Sequence, residues 1–204
     1  MNDFDLSFRI DPAVGLGPLL IAFTVLVAVR AARSRPGWTG RHAATRLMAA
    51  GYAAAVASIT IFPIVAGYGM YANRTPWYDM INPIPLLVID LSFAPNVIMF
   101  MPLGFLLPLL SGRARSAGRV TLLCALASAS IETTQCLSYI LFNNGRSVDV
   151  NDLIANTLGG LLGYLVLRGA WRVSFVADTL GTLALPGSAL DRERSPAISI
   201  PVPA

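Results

Sequence analysis

Two polar side chains, Glu132 and Gln135, lie inside a run of residues that is otherwise apolar enough to cross a bilayer. On a helix they share one face with Ser128, because spacings of three and four residues bring side chains together. A buried carboxylate without a cation on its own helix must be protonated, paired with Arg146, or hydrated in a cavity. Such groups are costly in membrane segments and usually face a partner or a wet cavity. We therefore expect Glu132 to be functional, either binding a ligand or acting as a general acid or base.

A short polar loop and the start of the next apolar segment supply further candidates. Arg146 and Asp149 lie in the loop, and Asp152 and Asn156 are one helical turn apart in the segment that follows. The two segments are antiparallel neighbours, so their polar faces are expected to meet in the outer half of the membrane. With one amide from an earlier segment, the candidate ligand-binding site comprises Asn96, Glu132, Gln135, Arg146, Asp149, Asp152 and Asn156.

Five of these residues also have a structural interpretation. Asp152 can serve as an N-cap at a helix start, where the helix dipole favours a carboxylate. Arg146 and Asp149 can form an exposed loop salt bridge of little energetic value. Gln135 and Asn156 can act only as hydrogen bonds between helices. A carboxylate is harder to explain in this way, so Glu132 carries most of the functional hypothesis.

The composition is that of an integral membrane protein. Of 204 residues, 55% are hydrophobic and 13% are charged, whereas soluble domains carry about 25% charged residues. The net charge is +4, but the arginines lie beside apolar stretches, as the positive-inside rule predicts, rather than in one basic patch. We therefore expect no binding of nucleic acid.

Residues typical of metal sites and disulfides are scarce. His42 is the one histidine, and there is no CxxC or HExxH motif. Cys124 and Cys136 lie on one predicted helix, about 18 Å apart at about 1.5 Å per residue, which is too far for a disulfide. We expect neither a cofactor nor a metal. An enzymatic alternative would instead let the outer aspartates hold a divalent cation.

Hydropathy predicts an all-α polytopic membrane helix bundle with about five transmembrane helices. Arginine clusters follow the first, third and fifth apolar segments, which places the N-terminus outside and the C-terminus in the cytoplasm. The predicted domains are an extracytoplasmic arm (1–12), a transmembrane domain (13–172) and a cytoplasmic segment (173–204). The spans are predicted at about 13–29, 47–65, 96–110, 120–142 and 152–167.

Three connecting regions have features of their own. Within the long outer connection 67–95, residues 83–93 are too short to span and are expected to be re-entrant or interfacial. Residues 174–185 are expected to form an amphipathic surface helix, and the tail after Pro186 is expected to be disordered. Gly159 and Gly163 form a GxxxG pair, which we expect to bring the fourth and fifth spans close together.

Several motifs, in order along the chain, resemble the VanZ-like family of bacterial membrane proteins. The resemblance covers roughly residues 60–167. Val148 departs from it where the family tends to have an aromatic residue, and Asn151 where an acidic residue is common. The matching pieces are TIFP (60–63, the weakest), NPIPL (82–86), Asn96, FMPLGFLLP (100–108), IE (131–132) with Gln135, RSVDVND (146–152) and NTLGGLLG (156–163).

The resemblance implies a protein of the cell envelope in the bacterial cytoplasmic membrane. The family is named for a protein associated with resistance to the glycopeptide teicoplanin. The leading hypothesis is a non-enzymatic protein that binds a membrane lipid, an envelope precursor or the drug. Arg146 would contact an anion, with Asp149 and Asp152 orienting it.

The alternative is a membrane-embedded enzyme that acts on a lipid-linked envelope substrate, with Glu132 as general acid or base. Proton-coupled transport through Glu132 and a purely structural role are further alternatives.

Overall fold

The computed structural model describes residues 5–85 and 93–194, and helices dominate it. Four of the helices, Pro12–Ala32, Phe93–Leu110, Ala117–Phe142 and Val150–Ala170, are long and apolar enough to cross a membrane. The prediction of an all-α membrane helix bundle is confirmed. The helices are α1 (Pro12–Ala32), α2 (Gly40–Thr60), α3 (Phe93–Leu110), α4 (Ala117–Phe142), α5 (Val150–Ala170), α6 (Ser174–Leu183) and α7 (Ala189–Arg194).

The ends of α4 and α5 follow from local side-chain chemistry. Ser116 is the N-cap of α4, and its hydroxyl accepts a hydrogen bond from the backbone N–H of Arg119 at 3.4 Å. Asn143 ends the same helix in the left-handed conformation, with φ of 53°, which asparagine tolerates better than most residues. Asp149 then caps α5 by accepting from the N–H of Asn151 at 2.7 Å. Asn143 and Asp149 thus fix the two ends of the short loop between α4 and α5.

The second predicted span, 47–65, is wrong at its outer end. Helix α2 stops at Thr60, and Ile64–Tyr68 form a strand, β2. Pro63 explains the stop, since proline cannot continue a helix and disfavours helical geometry in the residue before it. With 21 residues, α2 has the length of a span, but its start carries Arg41 and Arg46. That α2 crosses the membrane therefore stays a prediction.

Two small pairs of strands cover one end of the bundle. Strand β1 (Leu6–Ile10) comes from the N-terminal arm and pairs antiparallel with β2. Strand β3 (Ile81–Asn82) runs parallel to β4 (Val148–Asp149), with Asn82 opposite Asp149. The second pair ties the long connection after β2 to the loop between α4 and α5. Most of the segment predicted to be re-entrant, 83–93, lies outside the described residues.

Helices α3 and α5 pack closely because glycines lie at their contact. A Cβ at Gly159 or Gly163 would overlap backbone carbonyl oxygens of α3, and one at Gly104 would overlap the carbonyl of Gly160. The backbones of the two helices therefore touch. The predicted partner of the GxxxG pair, α4, is wrong, because α4 meets Gly160 instead, through the side chain of Cys124.

The prediction of a disordered tail is wrong for the residues up to 194. Helix α7 packs against the bundle, and Leu190 is 1% exposed in a cluster with Leu109 and Leu167. The N–H of Leu185 donates to the carbonyl of Leu109 at 2.8 Å, which anchors the segment to the end of α3. Leu185 and Leu190 bury enough apolar surface to order a stretch whose composition is otherwise polar. Residues 195–204 lie outside the described part.

Candidate functional site

The candidate site lies where α4 and α5 face each other beside the loop that joins them. Glu132 and Gln135 on α4 are 8% and 9% exposed, and Asn156 on α5 is 2% exposed. Ser128, one turn before Glu132, is fully buried. The structure therefore brings the polar faces of the two helices together in the interior of the protein.

Glu132 accepts one hydrogen bond from the neighbouring loop. Its Oε2 accepts from the backbone N–H of Asp149 at 3.1 Å. Neither of the two ion pairs found among the described residues involves this carboxylate. A buried carboxylate held by a single backbone donor is poorly compensated for the loss of water. Pairing with Arg146, one of the three outcomes expected for Glu132, is not what the structure has.

In the two amide side chains next to Glu132 along α4 and α5, the nitrogen donates a hydrogen bond but the oxygen accepts none from the described residues. Asn156 donates from Nδ2 to the hydroxyl of Ser128 at 2.9 Å. Gln135 donates from Nε2 to the backbone carbonyl of Thr60 at 2.8 Å. The remaining oxygens, Oδ1 of Asn156 and Oε1 of Gln135, are buried and receive no hydrogen bond from any described residue. The site thus presents two amide acceptors in addition to the carboxylate.

Arg146 lies in the loop but points to the end of α2. Its guanidinium donates to the carbonyl of Phe62 at 2.5 Å and to that of Ile59 at 3.4 Å. Burial lowers the pKa of this guanidinium from its ordinary value. The bond to Ile59, together with the bond from Gln135 to Thr60, satisfies carbonyls that the last turn of α2 leaves unpaired. The salt bridge between Arg146 and Asp149, which the sequence offered as a structural alternative, does not form. The guanidinium binds backbone carbonyls instead of an anion.

The two aspartates take different positions from those expected. Asp149, not Asp152, is the N-cap of α5, and its other carboxylate oxygen accepts from Nδ2 of Asn82 at 3.0 Å. Asp152 accepts from Nδ2 of Asn96 at 2.5 Å, which joins the start of α5 to the start of α3. Asn82 was missed as a site residue, although it opens the NPIPL motif. Asn82 lies beside Asp149 because β3 pairs with β4, and no local sequence pattern predicts that pairing.

No metal site emerges from this cluster. Within residues 5–85 and 93–194, no group of three or more histidine, cysteine, aspartate or glutamate side chains could hold a metal ion. Glu132, Asp149 and Asp152 are therefore not assembled as ligands. The arrangement can accept hydrogen bonds and can hold a proton at the carboxylate.

An apolar groove adjoins the polar cluster on the side of the helices. It encloses about 320 Å³ between α2, α3 and α4. Thr60 and Ile131 belong to its lining; the first accepts the bond from Gln135 and the second precedes Glu132. A hydrocarbon chain in this groove would therefore end next to the polar side chains. The other principal lining residues are Val56, Phe100, Leu103 and Ala127.

Comparison with known proteins identifies the family. No curated protein and no solved structure gives a significant match. The family model described as VanZ/LLP1 matches residues 19–172, well over half of the chain. This range includes Asn96, the whole of α4 and α5, and the loop between them, so the candidate site lies inside the matched region. The chain is a membrane protein that belongs to the VanZ/LLP1 family.

Proposed function

We propose that this chain is a multi-pass protein of the bacterial cytoplasmic membrane that binds an envelope ligand at the Glu132 site. The observation that carries the proposal is the set of unsatisfied acceptors in the interior. Gln135 is one turn after Glu132 on α4, and Asn156 bonds Ser128, one turn before it. A buried acceptor without a donor costs about 1–3 kcal/mol. A ligand that supplies the donors offsets that cost.

The chemistry of the acceptors indicates what the ligand offers. Two amide oxygens and a carboxylate recognise hydroxyl, amide N–H or ammonium groups, since each of these donates hydrogen bonds. Arg146, the cation expected to bind an anion, is engaged with the carbonyls of Ile59 and Phe62. Head groups rich in hydroxyls or amides, such as glycans and peptides, therefore fit better than a bare phosphate.

The adjoining groove favours a ligand that carries a lipid tail. Its apolar lining reaches Thr60 and Ile131, next to the polar side chains. A lipid-linked envelope precursor combines a donor-rich head with a hydrocarbon chain and so suits both surfaces. A link to glycopeptide resistance rests on kinship within the family, and the glycopeptide itself belongs in the same binding screen.

The test is a binding screen of lipids and envelope precursors on the purified protein, with Glu132→Gln beside the wild type. We expect the variant to fold and to lose affinity at least about tenfold, equivalent to about 1.4 kcal/mol, because the carboxylate is the strongest acceptor. Glu193→Gln is the matched control, since Glu193 forms an exposed ion pair with Arg168, a kind of contact of low energetic value. A folded Glu132→Gln protein with undiminished binding would refute the proposal.

The enzymatic alternative has one observation in its favour. The N–H of Asp149 donates to Oε2 of Glu132 and so holds one oxygen of the carboxylate in place, and a general acid or base must be positioned in this way. To distinguish an enzyme from a binding protein, the purified protein is incubated with a lipid-linked substrate that it binds, and the products are analysed by mass spectrometry. Product that depends on Glu132 would favour the enzyme, whereas stable binding without product favours the binding protein.

A further inference from the structure

The turn between α1 and α2 carries a concentrated positive charge. Five arginines lie at 30, 33, 35, 41 and 46, and no acidic residue occurs between Asp11 and Asp79. The ion pairs among the described residues involve none of them. The charge of this turn is therefore not neutralised by the part of the protein that the structure describes.

Trp38 organises the turn by stacking with two guanidinium groups. The guanidinium of Arg30 lies 4.4 Å from the ring centroid of Trp38, and that of Arg46 lies 4.1 Å from it. Such cation–π contacts are attractive within about 6 Å. Arg46 also donates to the carbonyl of Gly37 and, at 3.3 Å, to that of His42. Arg46 therefore stabilises the turn itself. Arg30 instead lines a pocket at the surface.

The pocket has five lining residues, and three of them are arginines. It encloses about 380 Å³ and is lined by Arg30, Arg33, Arg35, Pro36 and Trp38. The three arginines are exposed, while Trp38 is half-buried and forms one wall. Guanidinium groups bind phosphate oxygens through paired N–H donors, which makes such a pocket suited to a phosphate ester.

The surface next to the pocket is apolar. Helix α1 exposes Val25, Leu26 and Val29 in the turns just before Arg30, and α1 is one of the helices apolar enough to cross a membrane. A hydrocarbon chain can lie along this face with its polar head at the arginines. This continuity favours a lipid over a free anion.

We propose that the pocket formed by Arg30, Arg33, Arg35 and Trp38 binds the phosphodiester head of an anionic phospholipid whose acyl chains lie along α1. The site is separate from the Glu132 cluster. It lies before the start of α2, whereas Thr60 at the end of α2 contacts Gln135, about 30 Å away for 21 residues at about 1.5 Å each. Binding here fixes the α1–α2 pair in the leaflet on that side.

The experiment titrates lipid onto delipidated full-length protein in mixed micelles and counts bound lipid by native mass spectrometry. Phosphatidylglycerol is compared with phosphatidylcholine and with inorganic phosphate. The test variant is Arg33→Gln/Arg35→Gln, which leaves the stacked Arg30 in place. The matched control, Arg113→Gln/Arg119→Gln, removes the same charge from another exposed basic segment.

We expect wild type to prefer phosphatidylglycerol and the test variant to bind it roughly 10- to 30-fold more weakly at low salt, at about 1 kcal/mol per arginine. The control variant should keep wild-type binding. Equal losses in both variants would show diffuse electrostatic attraction and overturn the proposal. Saturation of the site by inorganic phosphate alone, or equal binding of phosphatidylcholine, would overturn it as well. Melting curves of each variant verify that the compared proteins are folded.

Discussion

At the scale of single residues, Glu132 is a buried carboxylate whose loss of water is poorly compensated. Buried amides such as Asn156 satisfy part of their hydrogen-bonding capacity through other helices. The carboxylate accepts one backbone N–H and pairs with no cation in the described part of the chain. An amide of the same size would serve equally well as a link between helices and would cost less to bury. The choice of a carboxylate is therefore best explained by a ligand or a proton.

Substitution of Asn156 separates ligand binding from helix packing. Asn156→Ala removes Oδ1, the unpaired acceptor, together with the bond to Ser128, so we expect about tenfold weaker binding of the ligand found in the screen. Ser128→Ala removes only the partner of Nδ2 and should lower stability by about 1 kcal/mol without changing affinity. Titration and melting curves measure the two effects. Equal losses of affinity in both variants would mean that Asn156 serves packing alone.

Arg146 is expected to act through stability. Arg146→Gln removes the bonds to the carbonyls of Ile59 and Phe62 and should lower the free energy of unfolding by about 1.5–3 kcal/mol, the range for charged hydrogen bonds. Arg74→Gln, at an exposed position, is the control and should change little. Thermal melting in detergent provides the measurement. Unchanged stability with lost ligand binding would restore the anion-binding role that the sequence suggested.

At the scale of helices, the contact between α3 and α5 sets the geometry of the bundle. Gly163→Ala places a methyl group against the backbone of α3, so we expect a lower melting temperature and reduced accumulation in membranes, because backbone cannot yield as a side chain can. Gly169→Ala is the control on the same helix, where an added Cβ meets no atom within 4 Å; alanine's higher helix propensity should leave it neutral or slightly stabilising. Wild-type stability of Gly163→Ala would contradict the backbone contact.

The sequence was sufficient for the elements that periodicity and hydropathy define. The positions of α1, α3, α4 and α5 followed from apolar runs, and the face shared by Ser128, Glu132 and Gln135 followed from helical spacing. The helix that packs against Gly159 and Gly163 could not be predicted in this way. A GxxxG motif indicates close packing of two helices, but it does not indicate which helix is the partner. The strand pairs joining β1 to β2 and β3 to β4 depend on distant segments and leave no local pattern.

The correct N-cap could not be chosen from the sequence either. Asp149 and Asp152 are both acidic and three residues apart, so each suited a helix start. The pairing of Asn82 with Asp149 decides between them. This contact belongs to the tertiary structure, and hydropathy could not reveal it.

At the scale of the whole molecule, charge is distributed unevenly between the two ends of the bundle. One end carries the arginine pocket before α2, the basic turn that precedes α4, and the segment from Arg168 to α7. The other end carries the strand pairs and the Glu132 site, where Asp149 and Asp152 accompany a single arginine in the α4–α5 loop. From the positive-inside rule we expect the first end to face the cytoplasm. The Glu132 site would then open toward the outer leaflet, where envelope precursors are displayed.

This orientation can be tested by cysteine labelling of intact cells. Ser147→Cys, exposed in the α4–α5 loop, and Gly118→Cys, exposed at the start of α4, are introduced separately after Cys124 and Cys136 are replaced by alanine. A maleimide that cannot cross the membrane should label only Ser147→Cys, because arginines close to the end of a span resist translocation. Lysed cells, in which both positions should react, provide the control. Labelling of Gly118→Cys alone would invert the topology and place the Glu132 site on the cytoplasmic side, where an envelope ligand could not reach it directly.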